Sequence, residues 1–329
     1  MNTNVKEKAI HINISSVSGD LKQNIIIFGV LFIIIAVFTI INPTFLTFDN
    51  IHSILLTSVP VALIAIGECI CIIGGNFDMS VGVVSSLAGL AAASLMEIEQ
   101  PVMIAILMGV AIGLISGIIA GMSVSRLNMN AFITTFSLLY IYRGIIFIIT
   151  EGIPKNLMGP KYAPFTMIGQ TKLFGNSIQM PILIMVGIYI LMSLFMKYTR
   201  LGRSIYLVGL NKRAAHICGI HVKNVELSMF IIVGVLSAIA GMLLASRTAT
   251  SQPFVGELFA MEAIAATIVG GTSMRGGKGS IGMTFVGVLI VYIIKNGLIM
   301  VGLPDFYQYI AVGLILLLAV LAQTPRTKA

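Results

Sequence analysis

The chain of 329 residues has few charges: only 10% of its residues are Asp, Glu, Lys or Arg, whereas 57% are apolar. A soluble domain carries about 25% charged residues, because its surface must stay in water. The shortage excludes most soluble enzymes, nucleic-acid-binding proteins and disordered chains. The mean hydropathy of +1.03 agrees, and the sequence is typical of a membrane protein.

Cysteine is also scarce, and tryptophan, the usual interfacial anchor, is absent. Cys69, Cys71 and Cys218 lie in or beside apolar segments, and their odd number argues against a disulfide framework. Cys69 and Cys71 lack the two-residue spacing and the second ligand pair of common zinc sites, so we expect packed thiols. His216 and His221 are not joined by carboxylates or cysteines in a ligand pattern, and we expect no bound metal.

Ten charge-poor runs approach the length of about 20 apolar residues that a helix needs to cross a membrane. They are 24–48, 50–75, 79–96, 100–125, 127–142, 173–196, 227–246, 258–271, 279–294 and 306–325. The sequence therefore predicts an all-α, polytopic membrane helix bundle of about ten transmembrane segments. The run 258–271 is short enough to be a half-helix.

The basic residues orient these segments. With the N-terminus inside and one crossing per segment, 14 of the 20 Lys and Arg lie on the cytoplasmic side. Only Lys155, Lys161, Lys172 and Arg247 lie outside. Because cytoplasmic loops carry the excess of Lys and Arg, this split predicts that both termini are cytoplasmic. It also explains the net charge of +8 without a nucleic-acid partner.

The predicted organisation is one transmembrane domain, 25–323, between cytoplasmic tails 1–24 and 324–329. The first apolar run ends at Asn42-Pro43 without a small-residue cleavage site, which favours a retained signal-anchor helix over a cleaved signal peptide. The extracellular connection 151–179 contains Pro154, Pro160 and Pro164, which forbid a regular helix through it. It either caps the outer mouth or simply joins two helices.

The cytoplasmic stretch 197–225 contains six Lys and Arg and no acidic residue. Asn211 and Gly219 are typical of the start and end of a short helix over 211–220. A solvated, positively charged loop would explain the charges. The length and internal order of this stretch also favour a surface that a cytosolic partner could push.

Several blocks resemble one family. Asn211-x-x-Ala214-Ala215-x-x-x-Gly219-Ile220 resembles the Glu-Ala-Ala-x-x-x-Gly coupling motif of bacterial ABC importer permeases, with Arg213 where an acidic residue is usual. Residues 199–211 and the glycine-rich block 263–279 are similar to ribose-type sugar permeases, and 74–82 is similar to their Gly-Ile-Asp-Leu-Ser-Val-Gly signature. The resemblance covers about 22–323. Asn76, Glu262 and Lys295 are further departures from the usual residues.

The resemblance implies the permease subunit of a bacterial inner-membrane importer for a neutral sugar, such as a pentose, a hexose or a related polyol. It implies an ABC ATPase docked on 197–225, an extracytoplasmic binding protein and a second permease copy, either identical or paralogous. ATP and Mg would bind the partner ATPase, with no cofactor on this chain. The implied coupling residues are Arg200, Gly202, Arg203, Asn211, Arg213, Ala214, Ala215, Gly219 and Ile220.

Four charged residues lie within apolar segments: Glu68, Arg143, Glu262 and Lys295. Such residues usually face a bundle interior or a water-filled cavity and pair with one another. Two acids and two bases allow complete pairing, and this balance favours a neutral polar solute, to which Asn296 could offer hydrogen bonds. We expect these residues, with Asn76, Asp78 and Ser80, to form a translocation path or gate. Asp78 and Ser80 could instead cap the helix that begins near Met79.

Glycine forms two patterns. Gly109, Gly113, Gly117 and Gly121 recur every four residues, which predicts a smooth stripe for close helix packing; lining a channel is the alternative. A later group predicts a tight turn, with gating or ATPase contact as the alternative: Gly270, Gly271, Gly276, Gly277 and Gly279. The group does not fit a P-loop, so the chain itself should not hydrolyse ATP. It does not fit a dinucleotide-binding fold either, because no strand precedes it and no acidic partner follows.

Other functions stay open. The nearest alternative is a related permease for nucleosides or branched-chain amino acids. A secondary transporter coupled to protons through Glu68 or Glu262 belongs to a different class. An intramembrane enzyme is disfavoured, because no single segment carries paired carboxylates or a nucleophile with its base.

Overall fold

A computed structural model describes residues 14–173, 175, 177–304 and 306–323, and these are almost entirely helical. The helices are α1 (Ile14–Ile41), α2 (Phe48–Ile73), α3 (Val81–Glu97), α4 (Val102–Ser125), α5 (Ala131–Thr150), α6 (Ala163–Gln170), α7 (Met180–Tyr198), α8 (Arg200–Leu210), α9 (Lys212–Ile217), α10 (Val222–Thr248), α11 (Phe259–Val269), α12 (Ile281–Met300) and α13 (Phe306–Gln323). Two 3-10 turns, Pro43–Leu46 and Pro160–Tyr162, precede α2 and α6. Four strands of two residues form two antiparallel pairs: β1 (Lys155–Asn156) with β4 (Thr250–Ser251), and β2 (Lys172–Leu173) with β3 (Ile178–Gln179).

Each predicted apolar run corresponds to one helix. Among the described residues, seven helices are long and apolar enough to cross a membrane: α1 from Leu21 onward, α2, α4, α5, α7, α10 and α12. The apolar helices α3 and α11 and the apolar part of α13 are shorter. At about 1.5 Å per residue, the 11 residues of α11 span about 16 Å, roughly half of the hydrocarbon core. The chain is a multi-pass, all-α membrane protein.

Helices α1 and α5 extend beyond the bounds that were predicted for them. Helix α1 begins at Ile14, inside the predicted tail 1–24, although its apolar span begins only at Leu21. Helix α5 continues past residue 142 to Thr150, because Arg143 finds an ion-pair partner and does not end the helix. Residues 1–13 of the predicted N-terminal tail and the predicted tail 324–329 lie outside the described residues.

Hydrogen bonds define two ends of the bundle. At one end, Gln23 donates to the carbonyl of Gly271, and the N–H of Gly277 donates to the carbonyl of Ile73. Helices α8 and α9 lie at this end, which we call the basic end. At the opposite end, Asn42 donates to the carbonyl of Met300. Strands β1 and β4 pair at that same end, where α5 and α10 finish.

No regular helix runs through the described residues of the connection 151–179, as its prolines predict. The connection holds the eight-residue helix α6 and packs on α10, where the Ser246 hydroxyl donates to the carbonyl of Phe165 at 2.6 Å. Pro160 and Pro164 lie in the first turns of the 3-10 turn and of α6. In a first turn the missing N–H has no helical partner to lose. The prolines therefore divide the connection into short elements.

Helix α10 is the centre of the bundle and packs on α2, α3, α4 and α6. The glycine stripe of α4 faces it: a side-chain carbon on Gly113 would collide with the carbonyl of Gly234, and one on Gly117 would collide with that of Phe230. Gly109 and Gly121 lie against Met242 and Leu227 of the same helix. The stripe therefore lies at a protein–protein contact, where two backbones meet without intervening side chains.

Replacing Gly117 with leucine should lower the stability of the protein. The free energy of unfolding should fall by about 2 kcal/mol or more, because overpacked interiors typically lose 1–3 kcal/mol. Thermal unfolding can be followed with a thiol-reactive dye in a Cys218→Ser background, since Cys69 and Cys71 are buried and react only on unfolding. Gly187→Leu on α7 is the matched control, because nothing lies within 4 Å of that position. Equal losses in both variants would contradict the packing role.

A proline in α2 is compensated by a distant arginine. Pro60 lies inside the helix and has no N–H to donate to the carbonyl four residues earlier, that of Leu56. Arg247, near the end of α10, donates to this carbonyl at 2.7 Å. In a membrane interior a carbonyl without a partner is costly, so Arg247 replaces the helical bond that Pro60 removes.

This exchange predicts a thermodynamic coupling. Arg247→Met should cost about 1–3 kcal/mol of stability, the usual penalty of an unpaired buried polar group. In a Pro60→Ala background, where the helix can supply the N–H, the same substitution should cost clearly less. Thermal unfolding of the four variants of this cycle measures the coupling. A loss that is identical in both backgrounds would show that the bond to Leu56 is not what Arg247 contributes.

Candidate functional site

At the basic end, α8 and α9 form two consecutive capped helices. The Thr199 hydroxyl accepts the N–H of Gly202 at 3.0 Å at the start of α8, and the Asn211 side chain accepts that of Ala214 at 3.0 Å at the start of α9. Helix α9 ends in a Schellman motif: the N–H of Ile220 donates to the carbonyl of Ala215, and Gly219 has a φ of 81°. Asn211 and Gly219 thus flank the short helix as predicted.

Helix α8 was not predicted separately, because the basic residues of 197–213 obscure its pattern. Gly202, Ile205 and Val208 are buried, three residues apart, on the face that packs on the bundle. Arg200 is exposed, and so is Arg203, which donates to the carbonyl of Tyr198 at 3.0 Å. The sequence did contain a signal for α8: apolar or small residues spaced three apart follow Thr199, which is a typical N-cap residue.

Helix α9 presents most of its surface to solvent. Only Ala215 is buried, while Arg213 and Ala214 are exposed. Ile217 is 79% exposed, which is unusual for a large apolar side chain beside several cations. Lys212 is held to the bundle by an ion pair of 2.6 Å with Glu226 at the start of α10. A protruding apolar side chain on an anchored helix suits contact with another protein.

A junction of main chains joins α8 to the bundle. A side-chain carbon on Gly209 would collide with the carbonyl of Ile73, and it would lie 2.6 Å from the nitrogen of Gly277. The N–H of Gly277 in turn donates to the Ile73 carbonyl at 2.7 Å. Helix α8, the end of α2 and the glycine-rich turn before α12 therefore meet directly. We call this contact the Gly209 junction.

The Tyr206 hydroxyl strengthens the Gly209 junction by donating to the carbonyl of Gly279 at 3.0 Å. Burial raises the pKa of Tyr206 to about 12, so the hydroxyl keeps the proton that it donates. Neither Tyr206 nor Gly209 was among the predicted site residues. Gly209 belongs to the block that resembles sugar permeases, but only the fold shows what it contacts.

The glycine-rich block forms a tight turn, in agreement with the first of its two interpretations. Gly271, Gly276 and Gly277 have φ values of 88°, 79° and 73°, which side chains rarely allow. A side-chain carbon on Gly270 would collide with the backbone of Met283, and one on Gly279 would lie 2.7 Å from the side chain of Thr272. The end of α11 is therefore pressed against the start of α12.

Two carboxyl groups lie together where α2 ends. Glu68 is fully buried, and both of its oxygens lie 3.3 Å from the N–H of Asp78, which is 2% exposed. The Asp78 carboxylate accepts both the N–H and the hydroxyl of Ser80, at 2.8 and 2.6 Å. Within the described residues, neither carboxyl group forms an ion pair. Asp78 thus holds the turn before α3, and α3 has no side-chain cap, so the capping alternative for Asp78 and Ser80 is wrong.

The pairing of intramembrane charges is only partly that expected. Lys295 binds Glu262 at 2.7 Å, and the Tyr292 hydroxyl donates to the same carboxylate at 3.1 Å. Arg143, by contrast, pairs with Glu257 in the connection before α11, at 3.1 Å. Glu257 was missed, because it lies 114 positions along the chain in a segment without a helical pattern.

The remaining predicted site residues lie in two places. Asn296 donates to the side chain of Asn50 at 3.0 Å, one turn below the opposite end of the bundle. Asn76 lies at the basic end and is 7% exposed. The structure therefore divides the predicted path: Glu68, Asn76, Asp78 and Ser80 cluster at the basic end, whereas the other four lie toward the opposite end.

Breaking the Glu262–Lys295 pair should destabilise the protein strongly. Lys295→Met leaves a buried carboxylate without its cation and should cost about 3 kcal/mol or more. Adding Glu262→Gln should recover most of that loss, because the buried charge is then removed. Thermal unfolding of the two single variants and the double variant gives the interaction energy. Additive losses would mean that the two side chains do not stabilise each other.

These features define a multi-pass membrane protein with an exposed, anchored helix at one end of its bundle. Residues 50–320 match the family described as branched-chain amino acid transport system / permease component, and the chain belongs to this family. The match agrees with the resemblance to ABC importer permeases. No solved structure matches the chain.

Curated relatives give the resemblance more detail. The chain is 38% identical to the ribose import permease protein of Haemophilus influenzae, over 90% of this chain and 91% of the relative. It is 35% identical to the ribose import permease protein of Bacillus subtilis, over 88% and 89%. It is 32% identical to the L-arabinose transport system permease protein of Escherichia coli K12, over 93% and 90%. The predicted ribose-type ABC permease is thereby confirmed.

Proposed function

We propose that the chain is the permease subunit of an ABC importer that brings a neutral sugar into a bacterial cell. The observation that carries the proposal is the similarity to permeases named for ribose and L-arabinose over about nine-tenths of each chain. The chain is a transport subunit and not an enzyme. A separate ATPase supplies the energy, with ATP and Mg bound on that partner.

The distribution of charge supports an orientation. The basic end carries Lys22, Arg126, Lys197, Arg200, Arg203, Lys212, Arg213, Lys223, Arg275 and Lys278, whereas the opposite end carries Lys155, Lys161, Lys172 and Arg247. We therefore place the basic end in the cytoplasm, with ten membrane segments, of which α11 is a half-helix, and both termini inside. The binding protein then docks at the opposite end. A second permease copy, identical or paralogous, completes the path.

The ATPase docks on α8 and α9 in this proposal. Its closure pushes α9, whose exposed Ile217 and Arg213 form the contact surface. Through the Gly209 junction the push reaches the end of α2 and the turn between α11 and α12. Asn76 and Asp78 follow directly on α2, so the displacement moves the cluster that closes the basic end of the path.

Bulk at the Gly209 junction should uncouple transport. Gly209→Val should reduce ATP-driven sugar uptake at least tenfold, because the side chain forces α8 away from Ile73. Uptake is measured in proteoliposomes that contain the permease, its ATPase and its binding protein. Gly187→Val on α7 is the matched control and should transport normally, since that position is open. Full uptake by the Gly209 variant would exclude the junction as the route of coupling.

The same proteoliposomes test the function itself. Ribose, L-arabinose, D-allose, leucine and adenosine are compared as substrates, with ATP or with only a proton gradient. We expect ATP-dependent uptake of a sugar. Uptake of leucine, the kind of substrate in the family description, or of adenosine would replace the sugar assignment. Uptake driven by protons alone would replace the ABC mechanism with a secondary transporter, for which Glu68 would be the first candidate.

A further inference from the structure

A cavity of about 850 Å³ opens at the basic end, beside the coupling helix. Its walls come from the loop after α2, the connection between α4 and α5, helix α9 and the first turn of α10. The volume lies within the 300–1,000 Å³ typical of sites for small organic ligands. None of the contacts described above explains why this space is left open.

The cavity is strongly basic. Arg126, Lys212, Arg213 and Lys223 line it, against a single carboxylate, Glu226, which is paired with Lys212. Four cations converge here from α9, from the start of α10 and from the end of α4. Like charges that face one space repel one another unless an anion lies between them. The lining therefore favours a negatively charged occupant.

Two buried polar groups in the lining lack partners. The Asn76 amide nitrogen and the Ser125 hydroxyl are buried, in residues 7% and 1% exposed, and neither forms a hydrogen bond with the part of the chain that the structure describes. A side-chain amide nitrogen is only a donor, and a hydroxyl can donate as well. Buried donors are rarely left unpaired in native proteins. Unpaired donors in the wall of this cavity favour an occupant that is rich in acceptor oxygens.

The cavity also has an apolar side. Phe77 and Phe132 pack with their ring centroids 5.9 Å apart, and Met129 lies beside them, 46% exposed. An inorganic phosphate ion would leave this wall and most of the volume empty. The lining is thus matched by an anion with many acceptor oxygens and an attached organic body, which is the chemistry of a phosphate ester.

We propose that this cavity binds a phosphate ester, with the phosphate between Arg126 and Lys223. The organic body lies against Phe77 and Phe132. Two sources share this chemistry: the headgroup of an anionic phospholipid at the membrane surface, and a soluble organic phosphate. Because Lys212 and Arg213 of α9 also line the cavity, an occupied site holds the coupling helix against α4 and the loop after α2.

The test uses the full permease in nanodiscs and requires no transport. Its outcome is therefore independent of whether the proposed function is correct. One arm uses phosphatidylcholine discs with or without phosphatidylglycerol, and native mass spectrometry counts the retained anionic lipid. The other arm uses pure phosphatidylcholine discs with sn-glycerol 3-phosphate, and glycerol as the uncharged control. In this arm the rise in unfolding temperature reports binding, because a ligand of the native state stabilises it.

The variant Arg126→Gln/Lys223→Gln should weaken binding about 25-fold, since each Lys or Arg near an anionic headgroup contributes about 1 kcal/mol. The matched control is Lys197→Gln/Arg275→Gln, which removes the same charge at the same end but outside the cavity. Lys223→Glu is the second variant. It lies exposed in the first turn of α10, where an acidic residue is favourable, so it should fold normally and still lose the ligand.

Each result decides the proposal. If the unmodified permease and the control variant retain phosphatidylglycerol and the cavity variants lose it, the proposal is supported and the ligand is a lipid headgroup. If sn-glycerol 3-phosphate raises the unfolding temperature of the unmodified permease and the control variant but not of the cavity variants, the proposal is supported and the ligand is a soluble organic phosphate. If the control variant loses binding as much as the cavity variants do, the binding depends only on surface charge, and the proposal is overturned. Absence of binding in both arms would overturn it too.

Discussion

The fold depends on main chains that approach one another closely. In a lipid bilayer, apolar side chains gain little by leaving the lipid for one another, so helices associate where their surfaces fit tightly. Helix α10 makes such contacts on several sides. A side-chain carbon on Gly67 would lie 2.8 Å from the backbone of Val233, and Gly241 is pressed against the carbonyl of Ser85. Together with the glycine stripe of α4, these contacts place α2, α3 and α4 around α10. The positions of the polar clusters follow from that arrangement.

The same kind of contact joins the exposed helix to the bundle. At the Gly209 junction the backbone of Gly209 directly meets the carbonyl of Ile73 and the nitrogen of Gly277. A movement of α8 cannot be absorbed by a change of rotamer there. The polar cluster of Glu68 and Asp78 begins within six residues of Ile73, so it belongs to the first part of the bundle that such a movement reaches. The cluster of Glu68 and Asp78 therefore lies next to the helix through which the ATPase would act on it.

Sequence reasoning recovered features that depend on local pattern. The ten apolar runs each became a helix, and Asn211 and Gly219 lie at the ends of α9, because hydrophobic length and capping chemistry act over a few residues. It did not find the pairs Arg143–Glu257 or Arg247–Leu56, nor the cavity beside Asn76. These join parts of the chain that are more than a hundred residues apart, and a single sequence contains no periodicity that links them. Helix α8 was missed for a different reason, since its basic residues are also typical of a cytoplasmic loop.

The bond between Arg247 and the carbonyl of Leu56 has a consequence for biogenesis. The two residues are 191 positions apart. At the usual rate of 5–20 residues per second, a ribosome makes Arg247 roughly 10 to 40 s after Leu56. During that interval the carbonyl of Leu56 in α2 lacks the donor that Arg247 later provides. The first half of the protein must therefore keep this turn near water, or shielded by the insertion machinery, until the second half arrives.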